Sequence, residues 1–149
     1  MKTLNIVGAG RLGRVLGSLL CQTHSVNLLS VLNQSKDSAQ AAVDFIGQGE
    51  AQGSMAALSS ANITLIAVPD DEIANTAQLL ASIGLIRVGD VVFHCSGLLS
   101  SEVLSAISTV GGNVASIHPL QTFAGDKLTP TQFSGTYCVT EGDSEALAI

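Results

Sequence analysis

The spacing of hydrophobic positions changes period several times along the chain. Residues 3–7 (TLNIV) form a short β-prone run, and Leu12, Val15, Leu16, Leu19 and Leu20 then recur at helical spacing. That pattern predicts a strand followed by an amphipathic helix over about 11–21. VNLLSVL (26–32) predicts a second strand, and Ala39, Ala42, Val43 and Ile46 mark a second helix that Gly47 ends. Residues 47–60 are rich in Gly, Gln and Ser and accommodate a short edge strand and a helical turn. ITLIAV (63–68) is continuously apolar, as in a strand covered on both faces. Residues 70–84 read as a helix with acids in its first turn, where the helix dipole favours them. VVFHC (91–95) is a further strand, followed by a helix carrying Val103, Leu104 and Ile107. NVASI (113–117) and, after a loop containing Pro119 and Pro130, GTYCVT (135–140) complete the set. Strands alternating with helices predict an α/β fold, a doubly wound and mostly parallel sheet with helices on both faces.

The length, 149 residues, fits one domain, 1–149. The last nine residues, EGDSEALAI, resemble a helix start with acids at 141, 143 and 145 and no C-cap after it. The chain is therefore expected to be the N-terminal part of a longer protein. Hydrophobic residues make up 46% and charged residues 12%, about half the usual charged share, so the chain is not disordered. A net charge of −6, with six Lys and Arg and no basic run, leaves nothing to neutralise a phosphate backbone, and nucleic acid is excluded as a partner. No apolar run reaches the roughly 18 residues of a membrane span. Arg11 and Arg14 interrupt the stretch a signal peptide needs, which points to the cytoplasm. Cys21, Cys95 and Cys138 are far apart and never in a C-x-x-C pair, so reduced thiols are expected, with no metal site.

Gly8-Ala9-Gly10-Arg11-Leu12-Gly13 lies directly after the first strand and opens the first helix, the context in which G-x-G-x-x-G binds a dinucleotide. The glycines then permit a tight turn, close approach of backbone to pyrophosphate, and close helix–strand packing, while helix N–H groups hold the anion. The alternative P-loop spacing from Gly8 to Gly13 is followed by Arg14-Val15 and lacks the Lys-Ser/Thr pair, which disfavours phosphoryl transfer. An NAD site places an acid at the end of the second strand to bind ribose hydroxyls. Here Asn33, Gln34, Ser35 and Lys36 occupy that turn, and the first acid is Asp37. Amides, a hydroxyl and a lysine suit a 2′-phosphate that a carboxylate would repel, so NADP is expected over NAD. The alternative is a plain polar turn in which Ser35 or Asp37 caps the next helix.

With these motifs assembled, the chain resembles a two-domain oxidoreductase-like family. That family pairs an N-terminal Rossmann-like NAD(P)-binding domain with a helical C-terminal domain of unknown function. Its wider relatives are 6-phosphogluconate dehydrogenase-like enzymes, pyrroline-5-carboxylate reductase and deazaflavin-dependent NADP reductases. The matching stretches are NIVGAGRLG (5–13), AVPDDEI (67–73), HCSGLLSSEVL (94–104), IHPLQTFA (117–124) and FSGTYCVTEGD (133–143). The resemblance implies NAD(P) binding, an NADP preference, and a helical domain that completes the substrate pocket and a homodimer. Gln34 departs from the Arg often found there, which weakens the NADP preference unless Lys36 substitutes.

Ligands of open α/β sheets bind at the carboxyl ends of the strands, where Val68-Pro69, His94-Cys95-Ser96 and His118 fall. Val68 and Pro69 are expected to pass near the cofactor through their backbone. His94 and His118 are candidate proton carriers, with a structural role the alternative for each. Ser96 either bonds cofactor or substrate or caps the segment after it, and Asp70 and Asp71 read as a helix cap and first-turn charge. Tyr137 is the sole tyrosine and has no lysine three residues on, so a short-chain dehydrogenase site is absent. Two functional classes remain: an NADP-dependent oxidoreductase acting on a small carbonyl or imine, and an NADP-binding sensor without turnover.

Overall fold

The computed structural model describes residues 1–123 and 127–149; Ala124, the last residue of the IHPLQTFA stretch, lies outside the described residues. Seven strands form one sheet: β1 (Lys2–Val7), β2 (Val26–Leu32), β3 (Glu50–Gln52), β4 (Ile63–Ile66), β5 (Val91–His94), β6 (Asn113–Pro119) and β7 (Cys138–Gly142). Their order across the sheet is β3-β2-β1-β4-β5-β6-β7. The first six run parallel and β7 pairs antiparallel with β6. The chain therefore winds outward from β1 through β2 to β3, returns, and winds outward the other way from β4. The reversal lies between β1 and β4, where an open sheet leaves a crevice above its strand ends.

Among the described residues six α-helices accompany the strands: α1 (Arg11–Gln22), α2 (Lys36–Ile46), α3 (Asp70–Ser82), α4 (Ser105–Thr109), α5 (Pro130–Phe133) and α6 (Ser144–Leu147). The helical periodicity finds its use directly. Val15, Leu16 and Leu19 of α1 and Ala39, Ala42 and Ile46 of α2 pack with Leu4 and Ile6 on one face of the sheet. Ile73, Ala77 and Leu80 of α3 and Ile107 of α4 pack with Val7 and Ile66 on the other. Burial on this scale contributes roughly 1.5–3 kcal/mol per large aliphatic side chain, which is why the two apolar faces specify the layering. Gly17 lets α1 approach both layers closely, since a Cβ there would stand 2.6 Å from Ile6 Cδ1 and 3.0 Å from Ile46 Cδ1. Among the described residues, no helix is long and apolar enough to cross a membrane.

The ambiguous stretch after Gly47 holds both expected features, β3 and a 3-10 turn at Met55–Ala57. Three expectations shift near the far edge. The helix expected after β5 begins as a 3-10 turn, Ser101–Leu104, before becoming α4. The last strand starts at Cys138 rather than at residue 135, because Gly135 is left-handed (φ 83) and Thr136 N–H closes a turn on the Phe133 carbonyl (3.0 Å). Glu141 belongs to that strand and not to a helical first turn: its carboxylate accepts from both Ser101 N–H and Ser101 Oγ–H (2.8 Å for the hydroxyl). Asp143 accepts from Val114 N–H at 2.8 Å and precedes the short α6, whose Ala146 is buried. These bonds fasten the antiparallel strand to the parallel sheet.

Candidate functional site

The three glycines after β1 stand in three different surroundings. Gly8 adopts φ 88, and a Cβ on it would fall 2.7 Å from the backbone nitrogen of Val68 and 2.8 Å from the carbonyl carbon of Ala67. Gly13 packs its Cα on the loop itself, where a Cβ would be 2.8 Å from the Gly8 carbonyl oxygen. Gly10 has nothing within 4 Å of the same position; it is the N-cap of α1, and its Cα faces open space. The loop is held by Gly8 N–H on the Leu32 carbonyl (2.8 Å), Ala9 N–H on Asn33 Oδ1 (2.6 Å) and Gly10 N–H on the Gly8 carbonyl (2.9 Å). The first intrahelical bond is Arg14 N–H to the Gly10 carbonyl, which leaves the N–H groups of residues 11–13 without helical partners. Oriented N–H groups, the positive end of a 12-residue helix and an unobstructed Cα together form a cradle for an anion.

Beside this loop runs a cleft of about 370 Å3 at the reversal between β1 and β4. Val7, Leu32 and Val68 give it an apolar floor. Asn33, Gln34 and Ser38 line it from the β2 side, and Pro69, Glu72 and Thr76 from the α3 side. A smaller cavity of about 130 Å3 adjoins it across Ala67 and Val68 and is lined by Leu12, Ile73, Cys95, Asp70 and Ser96. The two cavities and the cradle between them give one elongated groove over the carboxyl ends of β1, β2, β4 and β5.

The structure brings together most of the expected binding residues. Gly8, Gly10, Asn33, Gln34, Val68 and Pro69 line the larger cavity, and Leu12, Val68 and Ser96 the smaller. Ala9 is buried and Arg11 is exposed at the first position of α1. The NQSK turn divides. Ser35 is the N-cap of α2, its hydroxyl accepting from Ser38 N–H at 3.1 Å, so the capping alternative accounts for its side chain. Lys36 is exposed and lines neither cavity, its stem passing beside Gly53 instead. Ser38, Glu72 and Thr76, which sequence reading passed over, take places in the wall.

The two histidines differ in kind. His94 is fully buried; Ser96 N–H donates to its Nδ1 (3.1 Å), and its Nε2 meets the Ser100 carbonyl (3.2 Å). Those partners require a neutral ring protonated at Nε2, with both nitrogens engaged. The His94 ring, expected from the sequence as a candidate proton carrier, thus has both nitrogens bonded and no exposed surface, which favours the structural alternative. His118 is half-buried, and its Nδ1 bonds the Cys95 carbonyl at 3.1 Å, which places the proton on Nδ1 and leaves a lone pair on Nε2 in the neutral ring. Gly97 packs against that ring, with a Cβ there 2.7 Å from Nε2.

Ser96 organises the turn between them. Its hydroxyl accepts from Leu98 N–H (3.1 Å) and Leu99 N–H (3.2 Å) and donates to Asp70 Oδ2 (2.9 Å). Pro69, not Asp70, is the N-cap of α3, and the Asp70 carboxylate instead ties α3 to the turn after β5. Burial pushes the Cys95 thiol up to about 12, with the neighbouring Cys138 adding a smaller upward push, so this cysteine is a packing residue and no nucleophile.

A profile of the Rossmann-like domain matches residues 2–119. No curated protein matches the sequence. Solved structures do. A Bacteroides fragilis protein designated an NADP oxidoreductase superposes with a TM-score of 0.79 at 18% identity, over 98% of this chain and 54% of its own. A prephenate dehydrogenase of A. aeolicus, solved with hydroxyphenyl propionate and NAD+, gives 0.74 at 17% identity over 97% and 52%. A pyrroline-5-carboxylate reductase of Coxiella burnetii gives 0.70 at 14% identity over 97% and 50%. The chain thus spans about half the length of these structures.

Proposed function

Because this chain belongs to the Rossmann-like domain family, we propose that its groove binds a nicotinamide dinucleotide, NADP in preference to NAD, for an oxidoreductase acting on a small carbonyl or imine. One observation carries the reading. Gly10 alone of the three loop glycines has open space where a Cβ would stand, at the point where α1 directs its free N–H groups. Pyrophosphate fits there, the adenosine half fits the larger cavity, and the nicotinamide half fits the smaller one beside Ser96 and Asp70.

The preference for NADP rests on the end of β2. Asn33 stands where a carboxylate would serve NAD, and it is neutral, with Oδ1 already committed to Ala9 N–H. Gln34, beside it in the lining, offers an amide donor to a 2′-phosphate. Bound nicotinamide supplies the hydride, and the protein supplies orientation and proton traffic. We assign the proton to His118, the histidine whose Nε2 is not engaged among the described residues. Hydride transfer is proposed for a protein that carries a second domain beside this one, since the solved neighbours are about twice as long. A homodimer built through that domain and a cytoplasmic location belong to the same proposal.

Isothermal titration tests the reading. NADPH is expected to bind the protein more tightly than NADH, and equal or reversed affinities remove the NADP assignment. In an active full-length protein, His118→Gln is expected to lower kcat while leaving NADPH affinity within about twofold; unchanged turnover removes the proton assignment.

A further inference from the structure

We propose that Glu72 is the residue that selects the base of the dinucleotide, reading a 6-amino purine by accepting a hydrogen bond from its exocyclic amine; this rests on the nucleotide reading above. Among the described residues, Glu72 is the one charged residue lining the larger cavity. Its carboxylate makes no hydrogen bond or ion pair to any described residue, while its backbone N–H closes the first turn of α3 on the Pro69 carbonyl at 2.9 Å. An acceptor is thus held on a rigid helical turn and left unused.

Its place in the cavity says which part of a ligand it meets. The phosphate cradle fixes one end at Gly10, and Asn33 at the end of β2 fixes the ribose side, as strand ends do in this type of sheet. Glu72 stands on the opposite wall, and Thr76, four residues on, shares its helix face and lines the same wall. Between the walls lies an apolar floor of Val7, Leu32 and Val68, the surface a flat base covers. A carboxylate is acceptor-only at neutral pH, so it rewards an amine at its oxygen and repels a carbonyl oxygen there. Adenine presents that amine at C6; hypoxanthine presents a carbonyl at the same atom. Pocket shape is the same for both bases, so the carboxylate decides between them.

The test compares NADPH with its hypoxanthine analogue, titrated into the parent protein and into Glu72→Gln and Glu72→Ala. One charge-assisted bond at an exposed position gives the parent about a tenfold preference for NADPH. In Glu72→Gln the amide nitrogen can donate to the carbonyl of hypoxanthine, so the preference is expected to fall to within about twofold or to invert. Glu72→Ala is expected to remove the preference while binding both dinucleotides. Circular dichroism checks that both variants retain the fold, as an exposed and unpaired side chain allows. A parent that binds the two dinucleotides equally, or a Glu72→Gln variant that keeps the tenfold preference, overturns the proposal. A parent that binds neither overturns the nucleotide reading itself, and this proposal with it.

Discussion

Replacing Gly8 and Gly10 separately by alanine separates what the loop does for folding from what it does for a ligand. At Gly8 the added methyl meets two obstacles. The left-handed backbone (φ 88) costs an L-residue roughly 1–2 kcal/mol. The Cβ also stands 2.7 Å from Val68 N and 2.8 Å from Ala67 C, backbone atoms of the turn after β4 that cannot rotate aside, and overpacking of this kind costs roughly 1–3 kcal/mol. Gly8→Ala is therefore expected to lose about 2–5 kcal/mol, which for a domain of this size lowers Tm by about 5–15 °C. At Gly10 the backbone is extended (φ −71), and no atom lies within 4 Å of the new methyl. Stability is expected to change by less than about 1 kcal/mol. The methyl, however, occupies the approach to the free N–H groups of α1, and losing even one charge-assisted bond weakens anion binding about tenfold or more. Thermal melts followed by circular dichroism and titration with NADPH read the two effects independently. A Gly10→Ala protein that binds NADPH within twofold of the parent, or that melts as early as Gly8→Ala, refutes the assignment of Gly10 as the phosphate-facing glycine.

Ser35→Ala removes the cap of α2 and is expected to lower stability by about 1 kcal/mol with the NADPH-to-NADH affinity ratio unchanged; a shifted ratio in the titration makes Ser35 a ligand instead. Asn33→Asp keeps an acceptor for Ala9 N–H but adds the charge that repels a 2′-phosphate, so competitive titration is expected to show at least about a tenfold move toward NADH, and no move disproves the placement of the ribose. Cys95, held up at about 12 chiefly by burial, is expected to resist iodoacetamide at pH 8 while exposed Cys138 reacts, as mass spectrometry of the folded protein can show. Since that thiol's folded value lies above its ordinary 9.0, the folded state holds the proton longer. Its stabilising contribution is full below about pH 9 and is lost as pH rises toward 12, which denaturant titrations across that range measure.

Local patterns carried most of the fold. The apolar stripe of α1 and the continuous run of β4 are answered within a few residues by one helix face and by two covered sheet faces, so period alone placed them. Strand β7 has no such signature, because all five of its residues are exposed and nothing alternates along it. Its place is held by the cross-strand bond from Leu120 N–H to the Tyr137 carbonyl at its start and by Glu141 reaching Ser101 near its end, contacts between residues 17 and 40 apart in sequence. Residue types favouring a strand over 135–140 were read correctly in kind and misplaced in register, since only the partner strand defines register.

The site divides along the same line. The glycine loop is legible because strand, turn and helix are contiguous, so each glycine's reason is local. Glu72 and Thr76 were not legible, because two polar residues at i and i+4 near the start of a helix carry the same signature as any solvated face. They become a wall only because the chain reverses at β1, placing the start of α3 opposite the end of β2. His94 and His118 show the converse. Both sit at strand ends and both looked equally chemical, yet adjacent strands β5 and β6 give one a sealed position with two bonds and the other a half-buried position with one. What residue type could not decide, the neighbouring backbone did: a carbonyl and an N–H on His94 consume its chemistry, while a single carbonyl on His118 Nδ1 orients the ring and leaves Nε2 available. Under the proposed proton role, the deciding count is how many ring nitrogens the fold has already used: two in His94 and, among the described residues, one in His118.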